Sequence, residues 1–317
     1  MKTLRHKSRP HVLTNTALGR MRSCERKYLL RNVLGLRSPY RGGFALNIGS
    51  AFHEGMEHQD HLAAERYLRS GSDNGFGNGF LDDRQEEQII VATEMARAAL
   101  NRWTSWPDNR EVPFRMPVFS PSGLPSRLYD FGGVMDGFPS VRPESFWFDK
   151  IGEWKTTGRL NSDYILTLQT KSQPSAYCYA ASRLLGRPIR TVVYRIVQKP
   201  GIKRRTKSKP ETLEEYAQRL REYYVARPEL MYEEHVTRTD DQILDWESEM
   251  WETSLRANGI RTGRRYPLMN DQSCGHFGRC EYLDLCARSV TEDAFDVVED
   301  FHPELTSAAA AANGEKK

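Results

Sequence analysis

The sequence lacks any apolar run close to the roughly 20 residues that a bilayer-spanning helix needs, so we expect no membrane partner. Its N-terminus, MKTLRHKSRPHVL, is basic and has no apolar stretch of the kind found in signal peptides. Cysteine is scarce, and its count of 5 is odd, which argues against a disulfide framework. These absences predict an intracellular, cytoplasmic protein.

Two common motifs are also missing. The Gly-rich stretch GSDNGFGNGF, residues 71–80, fits neither GxGxxG nor a phosphate-binding P-loop, so we interpret it as a flexible connector. The stretch GSAFHEGMEH does not fit the zinc-protease pattern HExxH, because Glu57 stands where the second histidine belongs and His58 is out of register. The sequence therefore offers no nucleotide cradle and no zinc-protease helix.

The composition is that of an ordinary globular protein, with 38 % hydrophobic and 28 % charged residues in a chain of 317. The net charge of +4 is too small to indicate a nucleic-acid partner by itself. Basic residues nevertheless concentrate in one acid-free segment, QKPGIKRRTKSK, residues 198–209. Such a segment is most often solvated surface, but beside a phosphate site it would be a candidate DNA contact. The candidate contacts are Lys203, Arg204, Arg205, Lys207 and Lys209.

Hydrophobic periodicity and turn signals predict helices, then three meandering strands, then a helix, a strand and further helices. The predicted helices cover 18–32 (with Thr14 or Asn15 as cap and Cys24 inside), 48–69, 82–104, 172–186, 211–224 and 239–257. The predicted strands cover 112–119, 127–138, 145–156 and 189–199, with a further short strand before the last helix. This order indicates a mixed α/β fold with helices packed on a central sheet.

Asp136 ends one predicted strand, and Glu153 and Lys155 lie on the next. Because side chains at i and i+2 share one face of a strand, Glu153 and Lys155 point the same way. Antiparallel pairing of the two strands can bring Asp136 to the same end of the sheet. Two carboxylates beside a lysine can hold Mg²⁺ or Mn²⁺ and stabilise charge on a phosphodiester. The spacing alone is a weak signal and is more typical of a surface ion pair.

Other residues fit around this group. His53, on an upstream helix, is either a structural histidine or a third metal ligand. Gln173 and Tyr177 are four residues apart on the helix after Lys155, so both project from one helical face. Their alternative interpretation is a half-buried tyrosine beside an exposed glutamine.

The cysteines suggest a second metal centre. Cys274, Cys280 and Cys286 are separated by five residues each, wider than the C-x2-4-C hooks usual for structural zinc. Cys24 is the obvious fourth ligand of a four-thiolate Fe–S site, which would join distant parts of the chain. Cys178, in an apolar helix, is left as a core residue.

At this point the sequence resembles the RecB-type nucleases of the PD-(D/E)XK superfamily, in the iron–sulfur branch that includes the CRISPR-associated exonuclease and the AddB nuclease domain. The matching segments occur in the family's order over about 260 residues. They are SCERKYLL, GSAFHE, GGVMDGF, GEWKTT, QPSAY and the terminal cysteines. The family's last cysteines are often spaced C-x2-C-x5-C, so the first gap here departs from its pattern.

The resemblance implies a restriction-endonuclease-like core and a DNA exonuclease of recombination, repair or phage replication, in a bacterial or phage-infected cell. His53, Asp136, Glu153 and the Trp154 carbonyl would bind Mg²⁺ or Mn²⁺. Lys155 would assist the attacking water, and Gln173 and Tyr177 would contact DNA or order the site. The ligands of a structural [4Fe–4S] cluster, with zinc as the alternative occupant, would be Cys24, Cys274, Cys280 and Cys286.

The expected organisation is one nuclease domain over residues 1–300, followed by a flexible tail at 301–317. Within the domain we expect an N-terminal helical part at 12–110, a catalytic core at 111–238, and a C-terminal helical and cluster part at 239–300. A helicase or recombinase is a conceivable partner. The alternative function is a catalytically silent DNA-binding or assembly subunit that keeps the fold as scaffold.

Overall fold

A computed structural model describes residues 11–38, 44–70, 81–207, 209–275, 278–299 and 305. The predicted connector at 71–80 and, apart from Leu305, the predicted tail at 301–317 lie outside the described residues. Within its described residues the chain forms two compact units. One comprises Met1–Tyr40, Pro113–Val134 and Thr239–Lys317, and the other comprises Arg41–Val112 and Met135–Arg238. The single domain expected over 1–300 stays a prediction.

The first unit combines short strands with helices from both ends of the sequence. Its elements are β1 (His11–Leu13), α1 (Asn15–Ser23), α2 (Glu25–Tyr28), β2 (Leu36–Arg37), most of β3 (Asn109–Phe119) and β4 (Pro125–Phe138), α9 (Asp240–Arg261), α10 (Leu283–Cys286) and β8 (Asp296–Val297). Strand β1 pairs in parallel with β4, and β2 pairs antiparallel with β8. Phe131 packs edge-on against Trp246 at 5.0 Å between ring centroids, within the unit's apolar interior.

The helix predicted over 18–32 is interrupted, and Cys24 lies at the interruption rather than inside a helix. Thr14 caps α1, but Cys24 adopts extended backbone before α2 begins. The buried carboxylate of Glu25 accepts hydrogen bonds from the Arg256 side chain and the Leu268 N–H. These tertiary contacts, which local periodicity cannot show, accompany the break. A π-helical turn follows α2.

The second unit is built around strands β5 to β7. Its elements are α3 (Phe44–Glu57), α4 (His61–Arg69), α5 (Asp83–Arg102), β5 (Lys150–Thr157), α6 (Ser162–Thr170), α7 (Ser172–Leu185), β6 (Thr191–Gln198), α8 (Leu213–Val225) and β7 (Met231–Thr237), with the start of β3 and the end of β4. The helix predicted over 48–69 is two helices, because Gln59 has a positive φ and Asp60 caps α4.

The pairing in the second unit is mixed. Strand β5 runs parallel to β6 and is joined to it through α6 and α7, whereas β6 and β7 are antiparallel. The end of β4 pairs antiparallel with β5 through Gly137 and Gly152. This arrangement confirms the α/β prediction of a mixed central sheet flanked by helices. None of the described helices combines the length and apolar character needed to cross a membrane.

Two details of this unit differ from the prediction. The strand predicted from Ser145 begins only at Lys150, because residues 145–149 form turns closed by the Phe148 N–H to Ser145 carbonyl hydrogen bond. The helix α6 was not predicted. Asn161 caps it by accepting from the Tyr164 N–H, a capping signal that the sequence contains.

Candidate active site

Asp136 and Glu153 face each other across the β4–β5 pairing. Since Gly137 pairs with Gly152 in antiparallel register, one step along each strand places Asp136 opposite Glu153. The Trp154 N–H donates to Asp136 Oδ2 at 2.7 Å, which fixes the first carboxylate on the second strand. Both carboxylate side chains are buried. The structure therefore brings together the two acids singled out in the sequence.

The glycines beside the two acids allow this close approach. A Cβ at Gly137 would lie 2.6 Å from the Pro107 ring and 3.0 Å from the Gly152 Cα. A Cβ at Gly152 would lie 2.9 Å from the Trp154 indole. Only a residue without a side chain fits at these two places, so the glycines position the carboxylates that follow or precede them in the chain.

His53 and Glu111 complete an acidic group with Asp136. His53 Nδ1 lies 3.5 Å from Asp136 Oδ2 and 3.8 Å from Glu111 Oε1, and one ligand atom from each residue lies within 4.8 Å of the others. The sequence argument missed Glu111, because an acid at the start of a strand looks like any exposed carboxylate. Its backbone has φ 46°, a left-handed conformation that is unfavourable for a side chain and is enriched at functional sites.

The proton affinities of the group reflect burial and mutual charge. Burial, followed by repulsion from Asp136, raises the pKa of Glu153 to about 7. Burial also raises the pKa of Asp136. For His53, burial lowers the pKa, but attraction to Asp136 and the interaction with Glu111 outweigh it and raise the pKa to about 9. The group concentrates negative charge away from water, where only protons or a cation can compensate it.

Two buried oxygens point to a cation. Glu153 Oε2 and Glu111 Oε1 have no hydrogen-bond partner among the described residues. A buried carboxylate oxygen without a partner costs desolvation free energy of about 1–3 kcal/mol or more. Carboxylate oxygens with one histidine form a donor set that suits Mg²⁺ or Mn²⁺. The residues present therefore fit a hard divalent cation.

Lys155, Gln173 and Tyr177 lie around the other oxygen of Glu153. The Lys155 ammonium contacts Glu153 Oε1 and remains 27 % exposed. Burial lowers the pKa of Lys155, but the negative charges of Glu153 and Asp136 raise it by more than burial lowers it. The net pKa lies above the usual value, so the amine stays protonated. Gln173 Nε2 donates to Glu153 Oε1 at 2.9 Å and to the Tyr177 hydroxyl at 3.2 Å. The QxxxY pair therefore orders Glu153 from one face of α7.

A cavity of about 560 Å³ opens beside the group. Acidic side chains and two lysines line it together with small polar residues. The lining residues are Gly49, Ser50, His53, Glu54, Glu57, Tyr67, Glu111, Lys155, Thr156 and Lys199. Its volume lies within the range of small-ligand pockets.

The four cysteines singled out in the sequence lie in the first unit as half-buried free thiols. Burial raises the pKa of Cys274, and the nearby Cys280 and Cys24 raise it further. Burial likewise raises the pKa of Cys286, with Arg26 acting against it. The Cys280 N–H donates to the Cys274 carbonyl at 2.9 Å.

The fifth cysteine differs from these four. Cys178 is buried in α7, in the second unit, where burial raises its pKa to about 12. Such a thiol stays protonated at neutral pH.

The basic segment differs from expectation at one position. The Arg204 side chain is only 12 % exposed and forms ion pairs with Asp83 and Glu87, so its guanidinium is not presented to a ligand. The Arg205 side chain is 58 % exposed but pairs with Glu211. The exposed lysines of the segment are Lys203, Lys207 and Lys209. The composition of a basic run does not reveal such pairing, because Asp83 and Glu87 lie on α5, far away in the sequence, and Glu211 lies beyond the end of the run.

Comparisons with known proteins give one family match. The family model of the PD-(D/E)XK nuclease superfamily matches residues 12–287. A search among curated proteins found none that matches. Among solved structures, a Eubacterium rectale protein provisionally assigned as an exonuclease is similar at 10 % identity over 92 % of each chain, with a TM-score of 0.48.

Two structures of Scheffersomyces stipitis Rai1 are also similar, one of them in complex with (3′-NADP)⁺ and calcium ion. Their identities are 12 % and 11 %, over 90 % of this chain and 76 % of theirs, each with a TM-score of 0.24. The family match alone carries the assignment.

Proposed function

The chain belongs to the PD-(D/E)XK nuclease superfamily, and on that premise we propose that it is a metal-dependent deoxyribonuclease that degrades DNA from its ends. The observation that carries the proposal is the buried group of Asp136 and Glu153 with Lys155 in contact. Glu153 Oε2 and the neighbouring Glu111 Oε1 have no hydrogen-bond partner among the described residues, and such carboxylate oxygens suit a hard cation.

The proposed cation ligands are His53, Glu111, Asp136 and Glu153, with the Trp154 carbonyl as an additional donor. When bound, Mg²⁺ or Mn²⁺ supplies Lewis acidity to the scissile phosphodiester and lowers the pKa of water. Glu153 divides its two oxygens: Oε1 contacts Lys155 and Gln173, while Oε2 is left for the cation. Gln173 thus acts as a positioning residue for a metal ligand.

Lys155 is proposed as the electrostatic partner of the reaction. Its ammonium contacts Glu153 and also lines the cavity, so it can reach a phosphate bound there. A protonated lysine donates hydrogen bonds to an attacking water or to the developing charge on the phosphate oxygens, and it does not act as a base. Tyr177, bonded to Gln173, supports the same face of the site.

For the cysteines we propose a structural [4Fe–4S] cluster held by Cys24, Cys274, Cys280 and Cys286. The support for a cluster over a single zinc ion is the spacing of Cys274, Cys280 and Cys286 by five residues each, wider than the hooks usual for structural zinc. Cys280 and Cys24 lie near enough to Cys274 for their charges to act on it. Visible absorption near about 400 nm in anaerobically purified protein would support the cluster, whereas colourless protein with one zinc per chain would refute it.

The nuclease proposal is tested with end-labelled linear DNA and a covalently closed circle of the same sequence, each with Mn²⁺. We expect release of nucleotides from the linear DNA only, and loss of this activity in Lys155→Ala and Asp136→Asn. Lys150→Ala is the matched control, because Lys150 begins the same strand but pairs with Asp149. Undiminished cleavage by both site variants would refute the proposal, and cleavage of the circle would replace the exonuclease with an endonuclease.

A further inference from the structure

Lys199 lies beside the proposed active site without belonging to the group around Glu153. Strand β6 ends at Gln198, which pairs with Thr157 of β5. The Lys199 N–H donates to the Thr157 carbonyl at 2.7 Å, so its backbone is fixed to the strand that carries Lys155. The Lys199 side chain then lines the same cavity as Lys155 and Thr156.

The two lysines enter the cavity from separate places. Lys155 pairs with Ile196 in the parallel register, and Lys199 follows three residues later. Three residues span about 10 Å along a strand, and neighbouring strands lie about 4.8 Å apart. The two ammonium groups therefore originate too far apart to be interchangeable, yet both reach one cavity.

The environment of Lys199 suits an anion. Its side chain is half-buried, and burial lowers its pKa, which is the cost of taking an ammonium group out of water. Gly49 and Ser50 of α3 also line the cavity, and its volume of about 560 Å³ leaves room for a phosphate group. Lysine binds phosphate as a compact point charge.

We infer that Lys199 binds a backbone phosphate of the substrate DNA strand, next to the phosphate that is cleaved beside Lys155. The inference rests on the proposed function, since it names how the substrate strand of that site is held. It adds a substrate-binding residue outside the family motifs: Lys199 is the first lysine of the basic segment 198–209, whose candidate DNA contacts in the sequence argument begin only at Lys203. The competing explanation is that Lys199 only balances the acidic wall of the cavity formed by Glu54 and Glu57.

The test compares Lys199→Met and Lys199→Arg with the wild-type chain, and uses Lys150→Met as control. Binding of a short fluorescent single-stranded DNA is followed by anisotropy in Ca²⁺ at several salt concentrations, and KM and kcat are measured in Mn²⁺. We expect Lys199→Met to weaken DNA binding about tenfold, as for loss of one charged hydrogen bond. The slope of log affinity against log salt should fall by about 0.7, the value for one single-strand phosphate contact. Lys199→Arg should restore most of the affinity and most of the salt slope, and Lys150→Met should change neither quantity.

The same binding measurement on DNA with a 5′-phosphate and on DNA with a 5′-hydroxyl shows which phosphate Lys199 binds. A loss confined to 5′-phosphorylated DNA identifies a terminal phosphate, and an equal loss with 5′-hydroxyl DNA identifies an internal one; both support the inference. An unchanged salt slope, with a lowered melting temperature, would assign Lys199 to the acidic wall and overturn it. Because anisotropy needs no cleavage, failure of the nuclease assay and failure of this inference are distinguishable.

Discussion

Replacing Glu111 with glutamine should separate its role in cation binding from its role in folding. The carboxylate of Glu111 and that of Asp136 have ligand atoms within 4.8 Å, so their repulsion is about 3–4 kcal/mol at an effective dielectric constant of about 20. Glu111 Oε1 is also 3.8 Å from His53 Nδ1, and its attraction to a protonated His53 is about 4 kcal/mol on the same scale. The substitution removes the repulsion from Asp136 and the attraction to His53 together, and these nearly cancel. The free energy of unfolding without metal should therefore change by less than about 1 kcal/mol.

A bound divalent cation breaks this balance. Glu111→Gln then loses one anionic ligand, and a charged contact contributes about 1.5–3 kcal/mol, which corresponds to about 10- to 100-fold weaker Mn²⁺ binding. The assay is thermal and denaturant unfolding in EDTA and across a Mn²⁺ titration, since a ligand that binds only the native state stabilises it in proportion to its occupancy. Glu234→Gln is the control, since Glu234 is a half-buried acid on β7 whose side chain accepts a hydrogen bond from Gln169.

Either of two results would refute this reasoning. The first is a Mn²⁺ titration of Glu111→Gln that superimposes on that of the wild type, which would exclude Glu111 from the cation site. The second is a loss of more than about 3 kcal/mol in EDTA, which would mean that the ion pair with His53 stabilises the fold and that the repulsion is absent.

Three further predictions concern packing, pH and reactivity. Gly137→Ala should lose about 1–3 kcal/mol of stability and most activity because its Cβ has no room, whereas Gly158→Ala, with open space around it, should change neither on denaturant unfolding. The Arg219 side chain holds the pKa of Glu211 at about 2, so Glu211 stabilises the fold above its unfolded pKa of about 4.3, and this advantage over Glu211→Gln should vanish in melting curves as the pH falls toward 2. Cys178, with a pKa of about 12, should resist iodoacetamide at pH 8 in mass spectra until the chain is unfolded; rapid native labelling would contradict its burial.

Local patterns were sufficient where function depends on short spacing. Glu153 and Lys155 share a face because a strand repeats every two residues, and Gln173 and Tyr177 share one because they are four residues apart on a helix. Placing Asp136 beside Glu153 required one more assumption, that the neighbouring strands pair antiparallel. The contact between Gly137 and Gly152 makes that pairing close.

Other features depend on contacts between distant segments, and the sequence could not indicate them. Glu111 acquires its place only when α3 brings His53 beside the start of β3. Arg204 leaves the exposed basic set because α5 supplies two acids more than 100 residues earlier in the chain. The helix α6 is a different case: its cap at Asn161 could have been recognised, but its short length and exposed Leu166 weaken the helical period.

The strand that carries Glu153 and Lys155 is held by an unusual core, and this accounts for how a buried charged group is tolerated. The buried Arg195 guanidinium lies 4.9–5.8 Å from the ring centroids of four tryptophans, Trp103, Trp106, Trp147 and Trp154, and pairs with Glu233 at 2.9 Å. Each cation–π contact contributes about 0.5–2 kcal/mol. Since Trp154 stands between Glu153 and Lys155 and its N–H donates to Asp136, the aromatic packing on one face of β5 fixes the acids on the other. The repulsion within the acidic group is therefore opposed by apolar and cation–π packing across a single strand, and the site can stay assembled before a cation binds.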